Sequence, residues 1–501
     1  MVMKKLIITI ATIIFFNIGL FAQWNGSIDS TWYNEQDKVF IINSPEQLAG
    51  LSSMVNNGTT FKGVTIQLAN DIDLNGVQNK WTPIGNYNNP NAIFAGEIDG
   101  NGYSINNMII EISSENSIYA GLVGFGLNCS IKNLTIGKGS KITATNIRKY
   151  NDVMNYVGGF IGKDSLNEDN VSIINCNNYC DINSQNYGHS IVGGLIGWVA
   201  TVKNIKTIQI EKCTNYGELY SKSESGESKI GGLLGLVMSN LNIIESFNQG
   251  NINSYASYSA ISAGLLAYTS NSVNISNCAN YGLIKSILYN EQNESGYTGT
   301  SVSGGIIGET HYTLWEKQIN SKMENCNNYG KIISDITMTK YPGYSAGYGA
   351  GIIALAHHHN VIIENCNNYS DVENKIKGAP KNKLLVTSGI VGVSNIYNLK
   401  ISNSCNLGNI TLKAEQISQN SNRHNTAGII GIGSMQDSII NCYNAGNISD
   451  SSNYSHENRY VAGISTATNY NSDSFSIYIA NCYNTGNIFS INNNKKNNRN
   501  A

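Results

Sequence analysis

The apolar positions of this chain fall into two short phrases that alternate along most of its length. The first is an aliphatic residue, two variable positions, Cys or Ser, any residue, Asn, any residue, usually Gly, any residue and a second aliphatic, as in IIENCNNYSDV (362–372), IINCYNAGNI (439–448) and IANCYNTGNI (479–488). Its nine copies align on Cys176, Cys213, Ser246, Cys278, Cys326, Cys366, Ser404, Cys442 and Cys482, 32 to 48 residues apart. Asn stands two positions later in every copy, from Asn178 to Asn484, and an aliphatic stands six later, such as Ile182, Ile332 or Ile488. The second phrase sets small residues around an aliphatic pair, as in GGFIG ending at Gly162, GGLIG at Gly197, AGLLA at Ala267 and SGIVG at Gly392. It lies 11 to 18 residues before each register residue. Periods of 20 to 50 residues are the mark of solenoids, propellers and arrays.

Parity turns these phrases into structure. On a strand of period 2, the register residue, the Asn, the Gly four on and the aliphatic six on share one side, whereas the aliphatic three before has the opposite parity. A bend therefore falls just before the Cys, and the Gly suggests a second corner. With the GGxxG segment taken as one strand, each repeat supplies three short strands. The expected fold is all-β, a right-handed parallel β-helix (β-solenoid) of about ten coils, roughly 50 Å long at ~4.8 Å per coil. The Asn of successive coils would stack as an internal ladder, each amide donating to the next.

The ends read differently. Ser44-Pro45-Glu46-Gln47 offers an N-cap, a proline at N1 and a polar N3, so a helix should run through LAGLSSMV, stop near Gly58 and cap the first coil. Residues 1–22 have Lys4 and Lys5, an apolar run from Leu6 to Phe21 and Ala22, the pattern of a secretory signal peptide cleaved near Ala22. The expected organisation is then a linker over 23–37, the cap and first coils over 38–136, β-helix repeats over 137–488 and a polar tail over 489–501. No transmembrane segment is expected in the mature chain.

Composition narrows the function. A formal net charge of −2 with 13% charged residues gives no basic face for nucleic acid or an anionic bilayer. Five prolines against 50 glycines favour turns of positive φ. The ten cysteines of an exported chain would ordinarily suggest disulfides. Seven of them occupy the register position, where Ser replaces Cys twice, which favours a column of small buried thiols. Cys129, Cys180 and Cys405 lie off that column and are the better candidates for oxidation.

Few residues suggest chemistry. Asp71, Asp73 and Asn75 match the first half of a calcium loop, but its twelfth position is Thr82 rather than a bidentate Glu, so a strand-end turn is favoured. Asp99-Gly100-Asn101-Gly102 reads as a tight turn. His357-His358-His359 points to alternate sides of a strand and is better taken as an exposed loop than as a metal site. Tyr179, Tyr216, Tyr281, Tyr329 and Tyr369 recur three after the register residue, either as an aromatic stripe for sugars or proteins or as a structural stack. No nucleophile motif is present, and neither a catalytic residue nor a cofactor is assigned.

EQLAGLSSMVNNGTTFKGVTIQLANDIDLNG (46–76), WTPIG (81–85) and FAGEIDGNGYSINNMII (94–110) resemble the opening of bacterial surface proteins with GLUG motifs. The motif itself, Gly-Leu-hydrophobic-Gly, stands at 121–124, 194–197 and 232–235, while AGLLA, AGIIA and AGIST depart from it. The resemblance implies an extracellular parallel β-helix of adhesin-like proteins, without catalytic residues. The expected function is a secreted or surface-exposed, monomeric structural and binding protein whose loops meet a glycan or a cell-surface protein. The alternative is a carbohydrate-active β-helix enzyme, which requires carboxylates with Lys or Arg converging in one groove.

Overall fold

The computed structural model describes residues 24–166, 171–201, 206–290, 298–311, 319–338, 344–358, 360–378, 382–395, 398–415, 422–434, 436–452, 457–466 and 477–492. The signal segment and residues 493–501 lie outside them, while residues 489–492, read as part of the polar tail, belong to the strand Ile488–Asn492 of the last coil. Five parallel sheets of 13, 12, 11, 10 and 9 strands run the length of a parallel β-helix. One coil comprises Val171–Ile174, Asn177–Asn178, Asp181–Asn186, His189–Gly193 and Ile196–Thr201, its first to fifth strands. The next coil repeats them in register, with Ile173 on Ile210, Asn178 on Asn215 and Ile182 on Leu219.

Five strands per coil, not three, corrects the expectation from sequence. The GGxxG phrase is a corner between the fourth and fifth strands: one strand ends at Gly193 and the next begins at Ile196. Both members of each aliphatic pair, such as Leu195 and Ile196 or Ile352 and Ile353, are buried in the same core. Consecutive residues of a straight strand cannot both face one side. The bend before the register residue is where parity placed it. The preceding residue has positive φ in every copy, from 48° at Glu245 to 55° at Asn277 and Asn325. Asn is frequent there because its short polar side chain tolerates the left-handed region. These exposed asparagines form an outer row, in which Asn325 donates to Asn277 at 3.1 Å and Asn441 to Asn403 at 3.1 Å.

The inner asparagines form an unbroken ladder. Asn178 donates to Asn215 (2.9 Å), Asn215 to Asn248 (2.9 Å), Asn248 to Asn280 (2.8 Å) and Asn280 to Asn328 (2.9 Å). It continues through Asn368 (2.8 Å), Asn406 (2.7 Å), Asn444 (2.6 Å) and Asn484 (2.6 Å). The second amide hydrogen goes to the backbone carbonyl two residues on, as from Asn215 to Gly217 at 3.0 Å. From Asn215 to Asn444 both amide hydrogens and the carbonyl oxygen of each ladder Asn are thereby paired, the condition on which buried amides are tolerated.

The ladder also explains a glycine. The second residue of the GGxxG phrase is Gly in all nine repeats, whereas the others vary. A Cβ on Gly194, Gly232, Gly351 or Gly389 would overlap Asn215, Asn248, Asn368 or Asn406 and the carbonyl of the next coil's glycine. The second strand and the fourth–fifth corner thus touch across the interior.

Pro45–Asn56 is a helix, with the Ser44 side chain accepting from Gln47 N–H at 3.3 Å and Gly58 at φ 108° just beyond it. Leu48, Leu51 and Val55 bury its inner face on the first coils. Residues 24–37, read as a linker, join this cap: Trp24 packs edge-on to Trp81 at 6.2 Å, and Trp32 lies 5.2 Å from Phe40. The opposite end has no such cover among the described residues. Ile479 and Ile488 are 47% and 46% exposed, although Ile439 and Ile448, their counterparts one coil earlier, are fully buried.

All ten cysteines are free, nine of them buried. Those off the column are not the accessible thiols expected: Cys129 and Cys180 are fully buried, Cys405 nearly so, and burial raises the pKa of each thiol. Cys180 fills the interior position that Gly holds in most repeats, beside Asn178.

Replacing Asn368 by Leu leaves the Asn328 donor and the Asn406 acceptor unpaired and should cost about 1–3 kcal/mol. Gly351→Ala overpacks the same site and should cost a similar amount, whereas Cys366→Ser should cost less than either. Denaturant unfolding of the three variants checks the order, and a larger loss from Cys366→Ser than from Asn368→Leu would contradict it.

Candidate functional site

Contact between the Asn ladder and the Gly corner has an outward consequence. The fourth and fifth strands meet at an inward bend, so their outer faces form a crease along the rod. One wall carries Tyr156, Ile191, Lys229, Ile261, Val302, Tyr348 and Val386 in register. The other carries Lys163, Trp198, Leu236, Tyr268, Glu309, Leu355 and Val393. These side chains pack into clusters separate from the main core. The crease is thus lined by large side chains that are buried or half-buried although they point outward.

Near its N-terminal end the Lys163 ammonium lies 4.2 Å from the ring centre of Trp198 and 4.8 and 5.2 Å from those of Tyr87 and Tyr156. Such cation–π contacts hold a lysine among aromatics, and burial lowers its pKa to about 8. Further along, the crease opens into a cavity of about 750 Å³, lined among others by Glu227, Lys229, Tyr268, Glu309, His311, Tyr348 and His357. That volume suits a few sugar rings or a comparable ligand.

The two carboxyl groups of the cavity are held in opposite states. Burial pushes Glu227 up, but the hydrogen bonds and charges of His189 and Lys229 outweigh it and hold the group at about 2. Lys229 pairs with Glu227 Oε2, and His189 Nδ1 lies 3.6 Å from the same oxygen. Burial raises Glu309 to about 7, only partly offset by the charge of Lys229. Burial, with His311 nearby, lowers His357 to about 4, and burial raises the Tyr348 phenol to about 12. Groups whose environments drive their protonation apart within one cleft make that cleft a candidate functional site.

The residues singled out in the sequence lie elsewhere, with one exception. Asp71 accepts from Ser104 N–H (2.7 Å) and Oγ–H (2.9 Å), and Asp73 from Asn75 N–H (2.8 Å) and the Asn107 amide (2.9 Å). Asn75, at φ 44°, turns its amide toward the Trp24 carbonyl. The three do not converge, and the segment is the strand-end turn. Among the described residues no group of three or more His, Cys, Asp or Glu side chains is placed to hold a metal. Asn101 and Gly102 have φ 50° and 86°, as a tight turn requires.

The histidines correct the expectation of an exposed loop. His357 lines the cavity, His358 is fully buried with Nδ1 2.7 Å from Ser321 Oγ, and His359 lies outside the described residues. His357 follows the fifth strand Ile353–Ala356, which places its ring beside His311 of the preceding coil, at 6.1 Å.

The tyrosines form stacks. Tyr179 and Tyr216 lie 4.3 Å apart at 2°, Tyr281 and Tyr329 5.0 Å at 6°, and Tyr329 and Tyr369 4.7 Å at 5°. Their faces cover one another. What solvent meets is the ring edges, which suits a structural stack better than sugar stacking.

A sequence signal for the crease exists in hindsight. Lys163, Trp198, Leu236, Tyr268 and Glu309 each stand immediately after a GGxxG phrase, and Tyr156, Ile191, Lys229 and Tyr348 stand three before its second Gly. Because these positions vary in residue type, a search for repeats passes over them.

No family model matches the chain, and no curated protein matches it. Among solved structures, the crystal structure of a "putative immunoglobulin A1 protease" from Bacteroides ovatus is similar over 60% of this chain and 77% of that one, at 18% identity and a TM-score of 0.39. A likeness of that size carries no argument about chemistry, and the fold assignment rests on the strand ladders.

The raised Glu309 carboxyl sets a pH dependence. Its folded-state value of about 7 exceeds its ordinary 4.5, so the folded state holds the extra proton. The stability it contributes is complete below about pH 4.5 and lost as pH rises through about 7. Thermal melts of Glu309→Gln should therefore gain on the wild type between pH 4.5 and 7.5. A difference independent of pH would show that folding does not raise the Glu309 carboxyl above its ordinary value.

Proposed function

We propose that this protein is a secreted or surface-exposed, adhesin-like β-helical protein of the GLUG-motif kind that binds a glycan along the crease between its fourth and fifth sheets. The cavity carries the reading, because it sets Tyr268 and Tyr348 beside the polar and charged groups Glu227, Lys229 and His311. A sugar ring needs an apolar surface to lie on, here Tyr348, Ile261 and Leu355, and hydrogen-bonding groups at its rim, which Tyr268 holds in place with His311 stacked on its ring at 6.0 Å and Lys229 5.1 Å from its centre. A linear crease suits a chain of sugars better than a single small molecule. The signal-peptide pattern at residues 1–22 and the low charge support an exported protein that meets neither nucleic acid nor an anionic bilayer. Among the described residues no helix is long and apolar enough to cross a membrane.

Binding of the mature chain to a glycan array tests the reading. Tyr268→Ala and Tyr348→Ala should each weaken binding about tenfold, the upper range for loss of one aromatic contact. Tyr329→Ala, on the outer stack, should leave it unchanged. Binding that is lost with Tyr329 and kept without Tyr268 would move the site to the outer stripe.

A further inference from the structure

We propose that Glu309 and Glu227 form an acid–base pair that hydrolyses a glycosidic bond of the glycan held in the crease. The inference rests on the glycan reading and adds an activity to it. It starts from placement. Glu309 lies on the fifth strand Ile307–Thr310 and Glu227 opens the fourth strand Glu227–Gly231, and both line the same cavity. Glu227 pairs in register with Ser259, and Ser259 with Thr300, on the strand that leads through the Gly corner to Glu309. Two coils therefore separate the carboxylates along the rod, roughly 10 Å of backbone. Direct displacement by water needs a gap of about 6.5–9.5 Å between the two carboxyl groups, and the backbone offset is of that order.

The two groups differ as the chemistry requires. Lys229 pairs with Glu227 Oε2, His189 Nδ1 accepts the Glu227 backbone N–H at 3.3 Å and lies 3.6 Å from the same oxygen, and Oε1 has no partner among the described residues. The carboxylate is fixed and ionised by one oxygen and open at the other. Glu309 has neither a hydrogen bond nor an ion pair among the described residues. Tyr268 and Tyr348 stand near it, Lys229 and Glu227 supply the nearby charges, and His311 and His357 line the same cavity. Such a carboxyl keeps its proton and has nowhere within the protein to share it. In the step, Glu309 gives that proton to the bridging oxygen as the bond from C1 to that oxygen breaks. Glu227 Oε1 takes a proton from a water whose oxygen bonds to C1. One water is added across the bond, and the two carboxyl groups return to their starting states by exchange with solvent.

The test uses the full mature chain against a panel of plant, mucin-type and bacterial polysaccharides, with binding measured by retention on immobilised polymer and cleavage by new reducing ends. Wild type should bind one class and release reducing ends from it. Glu309→Gln and Glu227→Gln should each lose at least about 100-fold in rate measured at saturating polymer. Glu309→Asp, which keeps the carboxyl on a shorter arm, should restore part of it, and melting curves confirm that each variant is folded. Should the wild type bind a polymer and leave it intact from pH 5 to 7, or Glu309→Gln cleave at the wild-type rate, the hydrolytic inference fails while the binding reading stands. Absence of binding to every polymer overturns the glycan reading and this inference with it.

Discussion

A single column of buried amides governs this molecule. Each inner Asn must donate one hydrogen to the coil above and the other to its own backbone, so its position is fixed on two axes at once. A buried amide left unpaired costs about 1–3 kcal/mol, and from Asn178 to Asn484 the ladder has no unpaired rung. The coil-to-coil spacing of hydrogen-bonded strands is what lets identical amides pair, and the loops between repeats are free to vary because they lie outside that constraint. The repeats accordingly differ in length by as much as 16 residues, the span between intervals of 32 and 48, without breaking the register.

The amide column shapes the surface as well. It lies against the glycine corner that joins the fourth and fifth strands, close enough that a single Cβ there would overlap it. Pulling the corner inward turns the outer faces of two sheets into a crease, and the crease shelters large side chains that a convex rod would leave in water. Lys163 among its aromatic rings and Glu309 in the cavity beyond owe their altered protonation to that shelter, whereas Glu227 is held ionised against it by His189 and Lys229. A repeat constraint met inside the rod thus creates the chemistry outside it.

The sequence carried the architecture and little of the site. The Cys-x-Asn phrase located the ladder, the bend before the register residue and the inward aliphatics, because each is required in every coil. Ser44-Pro45-Glu46-Gln47 located the cap helix through the hydrogen bonds that any helix start must satisfy. The count of strands per coil was missed, although the adjacent aliphatics of GGxxG already broke the two-residue period and implied a corner. The crease was missed for a different reason. Lys229 and Glu309 are 80 positions apart and occupy slots where the neighbouring coils have Ile, Tyr or Leu, so only stacking brings them together. Repetition advertises what all coils share, and a site is built from what one coil has alone.

Side-chain amide hydrogen exchange, followed by NMR on the chain labelled at Asn, tests the ladder most directly. The Asn215, Asn248, Asn280, Asn328, Asn368 and Asn406 amides should exchange only through global unfolding, with protection matching that of the core backbone. Asn325 and Asn403, in the exposed outer row, should exchange orders of magnitude faster. Inner amides that exchange as rapidly as the outer row would mean that water reaches the ladder, and the account of the fold and of its crease would not stand.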